Sequence, residues 1–314
     1  MQDKFCREIS YLRVSVTQLC NLRCRYCMPI EGINKRSREE MLTQEELIAA
    51  VRVAASIGIK KVRITGGEPL VKKNILAICE GINDIAGIDE LSMTTNGILI
   101  PKYADDLYAR GIRRVNISID TLRPDRYREL TRLGELQDVL RGIDTALEKF
   151  DRVKLNIVLI GGFNDDEIPD FIEYARKNET DVRFIELMPM YEGHGFGKEA
   201  FISAESVTKY LTGCEETYEG VAHMFKLEGS RGRVGVISPI SDHFCTKCSR
   251  LRLTADGKIK PCLHSADEYS IKGLNEEEMR EMFIKAIEAK PKMHEDLSYK
   301  SISHAGRTMN RIGG

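Results

Sequence analysis

The chain has 314 residues, 42% of them hydrophobic, with 47 Lys and Arg against 48 Asp and Glu and a formal net charge of −1. That balance, with a pI near 6.6, makes no electrostatic case for nucleic acid or a membrane surface as partner. No run reaches the roughly 18 apolar residues of a membrane span, and the opening MQDKFCREISYLRVS lacks the apolar core of a signal peptide, so a cytoplasmic protein is expected.

Strand-like and helix-like runs alternate over the first two-thirds. Strands are expected at 11–17, 60–66, 90–96, 113–120, 153–160 and 181–188. The helix after the first strand is announced by Thr43 and Glu46, a capping-box pair, and stopped by Gly58. Further amphipathic stretches cover about 72–86, 101–110, 123–132, 135–149 and 165–178. Repeated βα units imply a parallel sheet with helices outside. Six such units make an open doubly wound sheet or a partial (β/α)6 barrel of TIM type, two units short of a full one. The character then changes. Residues 222–229 and 232–238 read as short strands joined by Gly-rich turns, and a cysteine cluster, a helix at about 275–289 and a polar tail follow. The expected division is therefore a barrel, 1–218, and a small α+β C-terminal extension, 219–314, with the boundary near 215–222.

The strands carry unusual cargo for a buried parallel sheet, whose strands are normally near-continuous apolar runs. Arg13, Ser15 and Thr17 alternate with Leu12, Val14 and Val16. Arg63 and Thr65 repeat the pattern, as do Asn116, Ser118 and Asp120, and Lys154 with Asn156. Period two puts each set on one face. With helices on the other face, three strands each send a cation inward, and Arg183 is a possible fourth. An unpaired buried charge is costly. These cations either pair with Asp120 or Glu186 or surround an anionic ligand, for which phosphate is the natural choice.

Nine cysteines are present, an odd number. In a reducing compartment, clustered cysteines read as metal ligands rather than disulfides. Cys79, in the apolar run NILAICEGI, reads as a small buried hydrophobe, and Cys6 and Cys214 are given the same reading. The other six form two groups of three. Cys20, Cys24 and Cys27, in CNLRCRYC, directly follow the first strand and so sit at the C-terminal edge of the sheet, where active sites lie in both architectures. Three thiolates can hold three irons of a [4Fe–4S] cluster and leave the fourth for a substrate or cofactor. Cys245, Cys248 and Cys262 form the second group. Spacing alone leaves it as a zinc site completed by His264 or His243, in a non-enzymatic interaction protein.

The first group resembles the C-x3-C-x2-C signature of the radical S-adenosylmethionine (SAM) superfamily. Tyr26 before the last cysteine, GGEP at Gly66–Pro69 after the second strand, and the six βα units strengthen the likeness. The resemblance implies that SAM chelates the open iron through its amino and carboxylate groups. Reductive cleavage then gives a 5′-deoxyadenosyl radical that abstracts a substrate hydrogen. A peptide-modifying maturase of this superfamily fits less well, because such enzymes usually carry more C-terminal cysteines.

Within the superfamily the chain resembles the GTP 3′,8-cyclases of molybdenum cofactor biosynthesis. The likeness runs through LRVSVTQLCNLRCRYCMP, VRITGGEPL, TTNG, NISID, VKLNIV, RFIELM, CTKCSRLRLTADGKIKPCL and the final GG. Gln18-Leu19 stand where that family usually has Asp-Arg, but neither residue is a ligand. Carried onto this sequence, the resemblance assigns Tyr26, Gly67, Ser118 and Met188 to SAM. It assigns Arg13, Arg63, Thr94 and Lys154 to GTP, chiefly its phosphates. It makes Cys245, Cys248 and Cys262 the ligands of a second [4Fe–4S] cluster whose open iron meets guanine. Arg250 and Arg252 then lie between the clusters as substrate-binding and catalytic residues, and the tail glycines Gly313 and Gly314 thread into the site. The implied partners are GTP, an electron donor and a downstream pterin-precursor synthase, and a homodimer is compatible with it.

Overall fold

The structure is a computed structural model and describes residues 1–33, 37–190, 196–294 and 303–313. Strands β1 (Tyr11–Ser15), β2 (Lys61–Thr65), β3 (Glu90–Thr95), β4 (Arg114–Ser118), β5 (Arg152–Leu159) and β6 (Asp181–Glu186) pair in chain order, all parallel. Helices α1 (Gln44–Ser56), α2 (Ile75–Asn83), α3 (Ile100–Ala109), α4 (Pro124–Thr131), α5 (Leu136–Lys149) and α6 (Ile168–Lys177) connect them. The capping box is formed: Thr43 Oγ1 accepts from Glu46 N and the Glu46 carboxylate accepts from Thr43 N.

The later strands lengthen this sheet at both edges. After α7 (Glu205–Thr208) come β7 (Glu215–Glu219), β8 (Ala222–Lys226) and β9 (Arg233–Ile237). Then follow β10 (Arg250–Leu253), β11 (Lys258–Lys260), β12 (Tyr269–Ser270), α8 (Glu276–Glu288) and α9 (Met309–Ile312). Strand β9 joins β6 in parallel and β10 joins β1 in parallel, so strands from both sides of residue 218 share one sheet. Antiparallel β8 and β7 continue beyond β9, and β11 and β12 beyond β10. Strand β7 carries no apolar alternation, since four of its five residues are exposed, which is why sequence pattern does not reveal it.

The strands' apolar set faces the helices. Leu12, Val14, Val62, Ile64, Met93, Val115, Ile117 and Leu155 are buried in the main core with Ala50, Val51, Ile78, Leu107 and Ile143 of the helices. Burial of each of these Leu, Val, Ile and Met side chains contributes about 1.5–3 kcal/mol. Cys79 is fully buried as expected, but Cys6 is exposed, on a left-handed residue with φ 62°. Among the described residues no helix is long and apolar enough to cross a membrane.

Register fixes what faces the lumen. Arg252, Arg13 and Arg63 form one row across β10, β1 and β2. Thr94, Asn116, Lys154 and Asp181 form another across β3 to β6. Asn156 is matched with Arg183, which places Arg183 on the lumen face.

Candidate active site

The loop carrying Cys20, Cys24 and Cys27 leaves the C-terminal end of β1 and is tied to the end of α4. Arg23 N donates to Thr131 O (2.9 Å) and Arg25 N to Leu130 O (3.0 Å). Arg132 takes a left-handed backbone, φ 64°, a conformation that costs a non-glycine residue about 1–2 kcal/mol. Its guanidinium donates to Arg23 O (2.9 Å) and Met28 O (3.2 Å), which offsets that cost and clamps the loop.

The GGEP turn closes on the same loop. Gly67 N donates to Thr17 O at 2.7 Å, and a Cβ on Gly67 would stand 2.3 Å from Leu19 O. Glu68, buried, accepts from Thr95 Oγ1 (2.8 Å), Asn96 N (2.7 Å) and Leu70 N (3.0 Å). Burial pushes its carboxyl up to about 7. Asn96 Nδ2 donates to Asn21 Oδ1 at 2.7 Å, so the TTNG turn braces the cysteine loop. Tyr26 donates its hydroxyl to Asp120 Oδ2 (2.8 Å), and Asp120 Oδ1 accepts from Val158 N (2.8 Å). Asp120 is therefore occupied by Tyr26 and the β5 backbone, while Glu186 accepts from Ala204 N, Ile240 N and Ser241 N. Neither carboxylate neutralises the lumen cations, so the pairing alternative drawn from sequence is corrected.

The three thiols suit iron. Burial pushes Cys20 up to about 11 and Cys27 to about 12, and Cys24 rises in the same direction. Free thiols here stay protonated, whereas cationic iron would make them thiolates. N–H donors already address the sulfurs: Leu22 N to Cys20 Sγ (3.3 Å) and the Asn310 backbone to Cys27.

The second cysteine group lies at the other end of β1. Cys248 precedes β10, whose Arg250 is matched with Tyr11 at the start of β1. Cys262 follows β11, which returns antiparallel to the same level. About five residues of strand separate the two groups, roughly 16 Å at 3.3 Å per residue. Arg7 donates to Cys245 O (2.8 Å), Pro291 O (2.7 Å) and Lys292 O (3.1 Å), and buried Lys290 to Arg250 O and Pro261 O (both 2.7 Å). Burial raises Cys248, but Lys290 and Arg250 outweigh it and hold the thiol below its ordinary value. The electrostatics around Cys248 thus favour thiolate. His264 Nδ1 pairs with Ser303 Oγ (2.9 Å) and His243 Nδ1 with Pro239 O (3.0 Å). Among the described residues no three Cys, His, Asp or Glu side chains converge on one ion, as a zinc site requires. In a cubane each thiolate binds its own iron, so such convergence is not needed.

The tail packs against the lumen residues Ser15 and Thr65 of β1 and β2. Arg252 Nη1 donates to Gly313 O at 2.5 Å, and Asn310 Nδ2 to Gln18 O at 3.2 Å. Gly313 is buried with φ 88°, and a Cβ there would meet Thr65 Oγ1 at 2.6 Å and Ser15 Cβ at 2.8 Å. Gly314 lies outside the described residues. Met188, like Leu263 and Met309, packs against the buried cluster of Met190, Ala305 and Ile312, and Ser118 closes the lumen face of β4 beside Asn156.

Between the two groups the lumen is polar and under-satisfied. Arg63 Nη1, Thr94 Oγ1, Asn116 Oδ1, Asn156 Oδ1 and Arg183 Nε are buried without hydrogen-bond partners. Such groups cost stability unless a ligand meets them. Tyr11 OH accepts from Arg63 Nε at 2.5 Å, and Arg63 and Arg250 both lie 5.9 Å from its ring centre. Sequence pattern alone does not distinguish Tyr11, Glu68 or Glu219, whose importance comes from contacts distant in the chain.

Two groups titrate together here. Burial raises Tyr11, but Arg63, Arg13 and Arg250 outweigh it and bring the hydroxyl down to about 8. Burial, then Arg183, brings Lys154 down to about 8. A bound polyanion favours the protonated form of both, so the bound state holds more protons. Affinity for a polyphosphate is therefore expected to fall as pH rises through 8, while affinity for an uncharged nucleoside stays level. Calorimetric titrations between pH 7 and 9 check this.

Comparison with known proteins places this geometry. The model of the radical SAM superfamily matches residues 14–175, and that of Molybdenum Cofactor Synthesis C matches residues 180–296. The GTP 3′,8-cyclase of Alkaliphilus oremlandii is 49% identical and that of Alkaliphilus metalliredigens 47%, each over the full length of both chains. The GTP 3′,8-cyclase of Moorella thermoacetica is 44% identical over the same span. Among solved structures, native anSMEcpe with bound AdoMet superposes with TM-score 0.61 at 17% identity, covering 91% of this chain and 82% of that one. SuiB of Streptococcus suis gives TM-score 0.59 at 16% identity, covering 82% and 61%. These two likenesses concern the fold, a radical SAM partial barrel. Full-length identity at this level decides the family: the chain belongs to the radical SAM superfamily and, within it, to the GTP 3′,8-cyclases.

Proposed function

We propose that the chain joins ribose C3′ of GTP to guanine C8, giving (8S)-3′,8-cyclo-7,8-dihydroguanosine 5′-triphosphate, an early step of molybdenum cofactor biosynthesis. The observation that carries this is two three-cysteine loops facing each other along one cationic, under-satisfied lumen. Cys20, Cys24 and Cys27 hold one [4Fe–4S] cluster, and Cys245, Cys248 and Cys262 hold the second. Bound together, the first cluster and SAM supply a 5′-deoxyadenosyl radical.

The chain's own residues do the rest. Tyr26, Gly67, Ser118 and Met188 border SAM, with Asp120 fixing the Tyr26 ring. Arg13, Arg63, Thr94 and Lys154 take the GTP phosphates and ribose, and Arg250 and Arg252 flank the guanine end. Ring closure removes one hydrogen atom from C3′, makes one C–C bond and returns one electron and one proton to the purine. Arg252, tied to the Gly313 carbonyl, presents a fixed positive charge where that electron arrives. Buried surroundings and the tail exclude water from the radical steps. The two electrons consumed imply a separate donor, and the product passes to a pterin-precursor synthase.

Arg63→Ala tests the substrate assignment. Loss of one charge-assisted contact to phosphate is worth about 1.5–3 kcal/mol, so GTP affinity should fall roughly 10- to 100-fold. Guanosine affinity, read in the same anaerobic calorimetric titration, should change little. Equal losses for the two ligands would remove the phosphate role.

A further inference from the structure

The two walls of the lumen differ in how their charge is met. Among the described residues no Asp or Glu bonds to Arg63, Arg250 or Arg252. On the facing wall, Glu219 meets Lys154, Arg183, Arg152 and Arg233 together. Its Oε1 accepts from Lys154 Nζ (2.5 Å) and Arg183 Nη2 (3.0 Å), and its Oε2 from Arg233 Nη2 (2.8 Å) and from Arg152. Asp181 already serves Arg152 and Arg233 at 2.8 Å, but stands 3.7 Å from Arg183. Glu219 is thus the main anion for Lys154 and Arg183, both buried lumen residues.

Glu219 comes from outside the barrel. It ends β7, the exposed edge strand, at the turn into β8, and its side chain is 32% exposed. Rotation of that side chain would return its carboxylate to water without moving the sheet. We infer that Glu219 is a charge filter for the substrate: it neutralises Lys154 and Arg183 when no ligand is bound and is exchanged for a phosphate when a polyphosphate enters. This rests on the assignment of GTP as substrate. The exchange has a direction, because a carboxylate carries one negative charge and a terminal phosphate group between about 1.5 and 2. A neutral nucleoside leaves Glu219 in place, and only a phosphate chain that reaches this wall displaces it. Burial raises the Glu219 carboxyl, but Lys154 and Arg183 outweigh it and hold it down at about 2, so Glu219 itself is ionised at neutral pH. Without it, the cationic lumen would bind any polyphosphate more tightly, including chains with no guanine to react.

The test is calorimetric binding of inorganic tripolyphosphate and of guanosine to the anaerobic holoenzyme, for wild type, Glu219→Gln and Glu219→Asp. Removing a like charge should tighten tripolyphosphate roughly tenfold in Glu219→Gln, and by less in Glu219→Asp, which keeps the charge but withdraws it by one methylene. Guanosine affinity should stay constant. Unchanged or weaker tripolyphosphate binding in both variants overturns the inference. If Glu219→Gln does not fold, the Glu219→Asp direction alone decides. A wild type that binds tripolyphosphate but makes no cyclised product from GTP would remove the substrate assignment, with the role of Glu219 still decided by the affinity ratio.

Discussion

Cys262→Ser is expected to leave SAM cleavage intact and to abolish ring closure. Cys20, Cys24 and Cys27 are held by β1, α4 and the GGEP and TTNG turns. Cys262 follows β11, at the far end of the lumen from the first cysteine loop. The variant should therefore retain about four of its roughly eight irons, still form 5′-deoxyadenosine under reduction, and lose cyclised product by about three orders of magnitude or more. Iron and sulfide analysis with separate assays of 5′-deoxyadenosine and product checks all three. Cyclisation at the wild-type rate would remove the second group from the reaction.

Gly67→Ala should be strongly damaging although it replaces no ligand of iron. The added Cβ would stand 2.3 Å from Leu19 O and 2.8 Å from Gln18 O. Both are backbone atoms, so no side chain can yield, and the turn or the cysteine loop must move. Displacing packed backbone at this scale costs more than about 3 kcal/mol, and a misplacement of about 1 Å at a reaction centre costs roughly 100-fold in rate. SAM cleavage should drop at least that far while the second group's iron stays bound. Retained SAM affinity with normal cleavage would show that the turn does not border SAM.

What was legible in the sequence follows from where the signals are local. The six βα strands announce themselves because each carries an apolar face against helices, and their lumen residues show through as polar alternation. The cysteine groups show because their ligands are close in sequence. Contacts over long separations do not show. Lys154 was recognisable as an inward cation and Arg183 only as a candidate of ambiguous register, and their partner sits on EETYE, a strand with no apolar pattern. The same holds for Tyr11, whose importance arises only when β2 and β10 bring Arg63 and Arg250 beside it. The polar tail reads as a frayed end by composition, yet Ile312 and Gly313 are buried and Arg252 binds the Gly313 carbonyl. Cys6 erred the other way, an apolar side chain left exposed by a turn.

The most direct test is incubation of the anaerobically purified chain with GTP, SAM and a one-electron reductant, followed by product identification. The account predicts an isomer of GTP of unchanged mass, with a new C3′–C8 bond, and deuterium from [3′-²H]GTP recovered in 5′-deoxyadenosine. Deuterium retained at C3′, or 5′-deoxyadenosine formed without any cyclised nucleotide, would contradict it.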